Sequence, residues 1–373
     1  MSARAAIRPS PPDREIDSLL MVSNKRHQAG SKRRVRGSPF AVSCTVSLAV
    51  FSAALMVSCA RPAGVATSPN SVEKPHINIG LISTTATYLP LYVALEEGLF
   101  TKEGLQVDLL NFRGGSDLIK ALVAGSIDVG VVSLAEVTAG IDAGQPLKAF
   151  YGGFNVPAFS WYAVPSIKTI AGAKGKRFGV TQFGSSTDFL TRYALVANGL
   201  DPERDVQIVQ GGDSPTRLAA MQAGQIDVNI FAPPDTFIAA DQGYKMIFSQ
   251  RDLAPDYPYH TFAATESFIA NDPNTLRALL RGFIRGLRLA KQDKELAMRA
   301  LGKRVKMDPK YVEPTYQDFI GYLYEDGRLP SEQGLQAFFE MGIRAGRFKQ
   351  RWPSQKYWNP TFAETFDQWK PAS

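Results

Sequence analysis

Cysteine is almost absent from this sequence: Cys44 and Cys59 are the only two, and both fall near its start. Everything after them lacks a disulfide, a thiol nucleophile and a cysteine metal site. Histidine is nearly as scarce. His27, His76 and His260 lie too far apart to suggest a metal clip, and none has a partner motif for nucleophilic catalysis. An excess of charge is missing from the body as well. Residues 1–58 carry nine Lys/Arg against three acids, whereas the rest carries 33 against 32, so the formal +7 belongs to the leader. A nearly neutral body removes the electrostatic case for nucleic acid as a partner. The stretch "GAKGKRFGV" mixes lysine with glycine but lacks the GxxxxGK[ST] order and precedes a strand, so it reads as a turn rather than a nucleotide loop. No cofactor is expected.

What the leader does have is the order of an export signal. A basic run, "NKRHQAGSKRRVR", is followed by "GSPFAVSCTVSLAVFSAALMVSCA", which has no charged side chain. The front is long for such a signal, and a start at Met21 would shorten it. "MVSC" before small residues resembles a lipoprotein signal with Cys59 as the lipidated residue; cleavage near Ala60 or an uncleaved anchor are the alternatives. "ARPAGVATSPNSVEKP" reads as a flexible tether. The expectation is a soluble, monomeric body in the periplasm or at the outer face of the cytoplasmic membrane, held there by lipid if Cys59 is acylated.

Within the body one phrase occurs twice. "ALVAGSIDVGVVS" (121–133) and "AMQAGQIDVNIFA" (220–232) agree at six of thirteen positions with an offset of ninety-nine. The same offset aligns Gly80 with Gly179 and Val107 with Val206, so the repeat is a unit of roughly sixty residues. Each copy reads strand, helix, strand, helix, strand: "HINIGLIS", "PLYVALEEGLF", "LQVDLLNF", "SDLIKALVAG", "IDVGVVS", then "RFGVTQF", "STDFLTRYALVANGL", "DVQIVQG", "DSPTRLAAMQAG", "IDVNIFA". That alternation predicts an α/β fold of two lobes with mostly parallel sheets. In AGxIDV the glycine should end the helix with positive φ, Ile and Val should enter the sheet, and Asp should cap or turn.

Ligands of open α/β sheets sit beyond the carboxyl ends of the strands. Here those loops are "STTATY", "RGGSD", "SLAE", "GSSTD", "GGDS" and "APPD", small, hydroxyl-rich and with Arg113 as their one base. Facing helix N-termini would favour an acceptor-rich or anionic group between the lobes. Two aromatic-rich connectors, "LKAFYGGFNVPAFSWYAVP" and "YKMIFSQRDLAPDYPYHTFAATESFI", would form a two-strand hinge. A helix follows with Leu276, Leu279, Leu280, Phe283, Ile284 and Leu287 on one stripe. Its other side carries Arg277, Arg281, Arg285, Arg288 and Lys291, a solvated face or a docking surface.

In order and spacing, "PLYVALEEGLFTKEGLQVDLL", "GGSDLIKALVAGSIDVGVVS", "GAKGKRFGVTQFGSSTDFLTRYAL" and "AAMQAGQIDVNIFAPPD" resemble substrate-binding proteins of ABC importers. The likeness is to the SsuA-like branch that takes nitrate, sulfonates such as taurine, or thiamine pyrimidine precursors, and it covers nearly all of His76 to the C-terminus. It implies a type II periplasmic-binding-protein fold, a small anionic or heteroaromatic ligand, and delivery to an ABC permease with its ATPase. The lobes would be residues 76–156, completed by 259–373, and residues 157–258, behind a signal at 1–58 and a tether at 59–75. By position the ligand loops would be Thr84, Thr85 and Tyr88, then Gly115, Ser116 and Ser133, and from the other lobe Gly184, Ser185, Ser186, Thr187 and Asp235. Asn155 and Trp161 join them because they should face the cleft from the hinge. Pro233-Pro234 stands where relatives often carry Glu-Pro, a departure from the family's pattern beside Asp235. Arg113, Arg192 and Arg217 are the arginines an anion would need, each read as a surface residue. The alternatives are an exported sensor or scaffold, or an enzyme like the fungal pyrimidine-precursor synthases, whose cysteine cluster is missing here.

Overall fold

Two five-stranded sheets organise the body. The computed structural model describes residues 71–372 apart from Ser83 and Pro255; the signal, the Met21 start and the Cys59 lipidation site lie outside the described residues. The first sheet is built from β1 (His76–Ile82), β2 (Gln106–Phe112), β3 (Val129–Val132) and β4 (Leu147–Phe154), and the second from β5 (Ser160–Ala163), β6 (Arg177–Val180), β7 (Gln207–Gln210), β8 (Val228–Phe231) and β9 (Lys245–Ser249). The last strand, β10 (His260–Thr265), returns to the first sheet. The orders are β2-β1-β3-β10-β4 and β7-β6-β8-β5-β9. In each sheet the repeat supplies three parallel strands, and an antiparallel strand from a crossover slots in beside the third.

The repeated phrase does the same work in both sheets. Gly125 and Gly224 end their helices at φ +72° and +68°, where a side chain would be strained. Asp128 accepts the backbone N–H of Asn78 at 2.9 Å, and Asp227 that of Arg177 at 2.9 Å, residues that are themselves ninety-nine apart. The aspartate therefore ties the start of the third strand to the first strand rather than capping a helix. Ile127 and Ile226 are buried under that joint and fill the space above Gly80 and Gly179.

The crossovers run side by side. Gln250 N–H donates to Phe159 O at 2.9 Å, and Tyr259 N–H to Phe154 O at 3.1 Å. Helices of the C-terminal segment then cover the first sheet. In the helix Pro273–Gln292 the apolar stripe is fully buried, as its spacing predicts. Its basic stripe stays partly solvated, with Lys291 exposed and the Arg285 side chain 41% exposed, but it is not free. Arg281 and Arg285 both pair with Glu103, Arg288 pairs with Glu325, and Lys291 donates to Leu323 O. The end of the expected tether is also held: Glu73 accepts the N–H groups of Asn274 and Thr275 at the start of that helix. Contacts from the same segment reach the second lobe, where Lys310 and Tyr311 each lie 2.7 Å from Asp241 and the Phe338 ring sits 5.5 Å from Phe189.

Candidate functional site

All six strand-end loops of the repeat line one cavity of about 420 Å³. The loops after β1 and β2 supply Thr84, Thr85, Arg113 and Gly115, and the loop after β3 supplies Glu136. From the second sheet come Ser185, Ser186 and Thr187 after β6, Asp213 and Ser214 after β7, and Asp235 after β8. The crossovers add Phe159, Tyr259 and His260, and the C-terminal segment adds Arg304 to Lys306 at the mouth.

Of the residues named from sequence, Thr84, Thr85, Gly115, Ser185, Ser186, Thr187 and Asp235 reach this cavity. The others sit around it. The Tyr88 hydroxyl donates to Val131 O at 3.0 Å and accepts the Ile82 N–H, which places it behind the wall. Ser133 is buried and caps its helix by accepting the N–H of Ala135. Ser116 lies at the seam between lobes, its hydroxyl donating to Phe183 O at 3.3 Å, with Gly184 opposite. Trp161 is fully buried and donates from Nε1 to Thr191 Oγ1 at 3.1 Å. Asn155 is buried in the hinge and donates to Arg328 O. These six are absent from the cavity wall.

Two charged residues on the wall differ from the sequence reading: Arg217, a candidate placed at the surface, and Glu136, which it does not single out. Arg217, read as a surface residue, is 2% exposed. It aligns with Leu118 of the first copy, a core position, so the repeat itself carried the signal that its side chain turns inward. All five of its N–H donors are taken: Nε by Asn229, one terminal nitrogen by Thr181 and Gly212 O, the other by Ser214 and Ile230 O. Burial lowers its pKa to about 10, against the pull of Asp235 and Asp213. Arg192, by contrast, is half-buried and held by Asp188 and Glu203, and Arg113 is exposed at the rim.

Glu136 is also 2% exposed. Its position three residues after Ser133 has the Ser-x-x-Glu form of a capping box, which reads as structural. Instead its carboxylate crosses the seam: Oε1 accepts the Ser186 N–H at 2.6 Å, while Oε2 is buried without a partner. Burial raises its pKa, and hydrogen bonds from Ser133 and Ser186 oppose the rise. Burial likewise raises Asp235 to about 6, with Arg217 opposing. His260 stacks on Tyr88 at 4.7 Å between centroids, and burial lowers its pKa to about 3, so it is neutral.

The lobes are closed on each other. Besides the Glu136 bond, Gln182 Nε2 donates to Asp117 Oδ2 at 2.7 Å across the seam. Among the described residues no group of three or more His, Cys, Asp or Glu could hold a metal, and no helix is long and apolar enough to cross a membrane.

Two lobes that share a cavity between strand ends also occur in solved binding proteins, which share the fold. The alkanesulfonate-binding protein SsuA of Xanthomonas axonopodis pv. citri, solved with MOPS, matches at TM-score 0.62 and 20% identity, over 75% of this chain and 96% of that one. The periplasmic nitrate-binding protein NrtA of Synechocystis matches at TM-score 0.63 and 17% identity, over 82% and 93%. The fold is that of the periplasmic binding proteins. Residues 70–301 match the model of the NMT1-like family, and the chain belongs to that family. A binding protein of Brucella abortus is 30% identical over 193 residues, covering 50% of this chain and 58% of that one; the chain spans little more than half of that curated relative's length.

Proposed function

We propose that this protein is the extracytoplasmic solute-binding component of an ABC importer. It captures a small molecule between its lobes without turning it over and presents the closed form to a permease driven by an ATPase. The observation that carries the reading is the single cavity walled jointly by six strand-end loops of two sheets. Ligand that touches both lobes binds fully only when they are closed, so it shifts an open ensemble toward the closed one. A micromolar affinity needs roughly 8 kcal/mol, within reach of several loop hydrogen bonds and the aromatic walls of Phe159 and Tyr259. The basic and apolar leader supports export, and "MVSC" supports a lipid anchor at Cys59 on the outer face of the membrane.

Native mass spectrometry of protein released gently from the envelope fraction tests the proposal. A retained small molecule is expected, and adding it back should raise Tm with the logarithm of its excess. Protein that carries nothing, and that a broad solute panel fails to stabilise, would sink it.

A further inference from the structure

Charge on the cavity wall is answered by the chain itself. Arg217 is the one guanidinium buried there, and each of its N–H groups has a protein acceptor, so it offers an oxyanion no free donor. His260 is buried and neutral. The other bases lie at the mouth, where Arg113 and Lys306 are exposed and Arg304 pairs with Glu96 at 2.7 Å. Glu136 presents nothing to a solute: Oε1 takes the Ser186 N–H, Oε2 is sealed from the cavity, and burial favours the uncharged form of the carboxyl.

Asp235 is placed differently. It stands half-buried on the wall, in the loop after β8. Ser214 links it to the buried guanidinium: Ser214 Oγ accepts an Arg217 N–H at 3.2 Å, and its hydroxyl interacts with the Asp235 carboxyl. Asp213 caps the next helix by accepting the Thr216 N–H at 3.0 Å, and it too feels Arg217 as well as Arg113. Two carboxylates therefore stand against two guanidinium groups. An ion carried inside would bring a charge for which no counter-charge is left, and burying an unpaired charge costs far more than burying a hydrogen-bonded dipole.

Resting on the solute-binding reading above, we infer that Asp235 sets the charge class of the cargo: as the resident counter-ion of Arg217 it makes the cavity select an uncharged polar solute, an amide or alcohol, over an ion of either sign. Its charge cancels that of Arg217 and so turns anions away, while Arg217 in turn weakens its pull on a cation. Unlike Glu136, Asp235 is only partly covered, which leaves it an acceptor for an uncharged N–H or O–H. Phe159 and Tyr259 supply ring surface for the rest of such a molecule. The alkanesulfonate and nitrate in the compared structures' names are anions, so the inference parts this chain from them by charge while keeping the fold.

Matched triads of one shape and three charges test it: benzamide, benzoate and benzamidine, then acetamide, acetate and acetamidine, by calorimetry and Tm shift on the full chain. At about pH 7.5, above the Asp235 pKa of about 6, the amide of each triad should bind at least about tenfold more tightly than either ion. Asp235→Asn keeps the shape and an acceptor oxygen but removes the charge, so benzoate should gain about tenfold while benzamide changes by less than about threefold. The comparison on the unaltered chain needs no variant and stands if Asp235→Asn folds poorly. A tighter ion in either triad overturns the inference, and so does a folded Asp235→Asn protein whose benzoate affinity is unchanged. Failure of every probe to bind overturns it too; a small molecule retained in native mass spectra would then leave the importer reading standing, and an empty protein would take down both.

Discussion

Gly80 and Gly179 have no room for a side chain. A methyl group would sit 2.4 Å from Ile127 Cδ1 in the first copy and 2.8 Å from Ile226 Cδ1 in the second, atoms of the same repeated isoleucine. Gly80→Ala should therefore cost about 1–3 kcal/mol through overpacking, and Ile127→Val, which deletes the offending carbon, should return part of it. Urea titration of both single variants and the pair checks this; strictly additive losses would refute it. His260 and Asp235 act on stability in opposite senses. The folded chain keeps His260 neutral down to about 3, so as pH falls below its ordinary 6.5 the unfolded chain gains a proton first and stability is lost. Asp235 holds its proton up to about 6 when folded, so between 6 and its ordinary 3.8 falling pH adds stability. Each contributes a slope of about 1.4 kcal/mol per pH unit where only one state is protonated, and the two nearly cancel from pH 6 to 4. Urea midpoints at pH 7, 5.5 and 4.5 should show Asp235→Asn losing stability with acid more steeply than the parent, and His260→Gln less steeply.

Helices and strands follow what the sequence announces wherever the signal is local. The period of the repeat, the glycines at the helix ends and the apolar stripe of Pro273–Gln292 all translate directly into elements. What could not be read is where distant segments meet. Nothing local says that β5 and β10 leave the hinge to complete the sheets, or that Arg304 to Lys306 reach the cavity mouth. Glu136 was hidden by a pattern with a commoner structural meaning, and Arg217 by the habit of placing arginine outside although its repeat partner is Leu118. The basic stripe teaches the same point, since its partners Glu103 and Glu325 come from either side of it in sequence. Glu103 is 10% exposed and serves two guanidinium groups, so Glu103→Gln should cost about 1–3 kcal/mol, measured by Tm and urea midpoint. Surface pairs such as Lys120 with Asp117 should be worth under about 1 kcal/mol by the same measure.

For the whole molecule, closure rests on few direct contacts across the seam, chiefly Glu136 with Ser186 and Gln182 with Asp117. Gln182→Ala should raise the open population of ligand-free protein, seen as a larger radius of gyration in X-ray scattering, and bound cargo should reverse it. An unchanged radius would mean that the C-terminal clasp, Lys310 with Asp241 and Phe338 with Phe189, sets the equilibrium instead. The exchange of strands between the copies also has a consequence for synthesis. The first sheet starts first but stays one strand short until Thr265 has been made, whereas the second has all its strands once Ser249 appears. The half that begins later is the first able to finish, and a nascent chain that has emerged from the ribosome only to between those two points would hold one complete sheet and one waiting with a vacant slot.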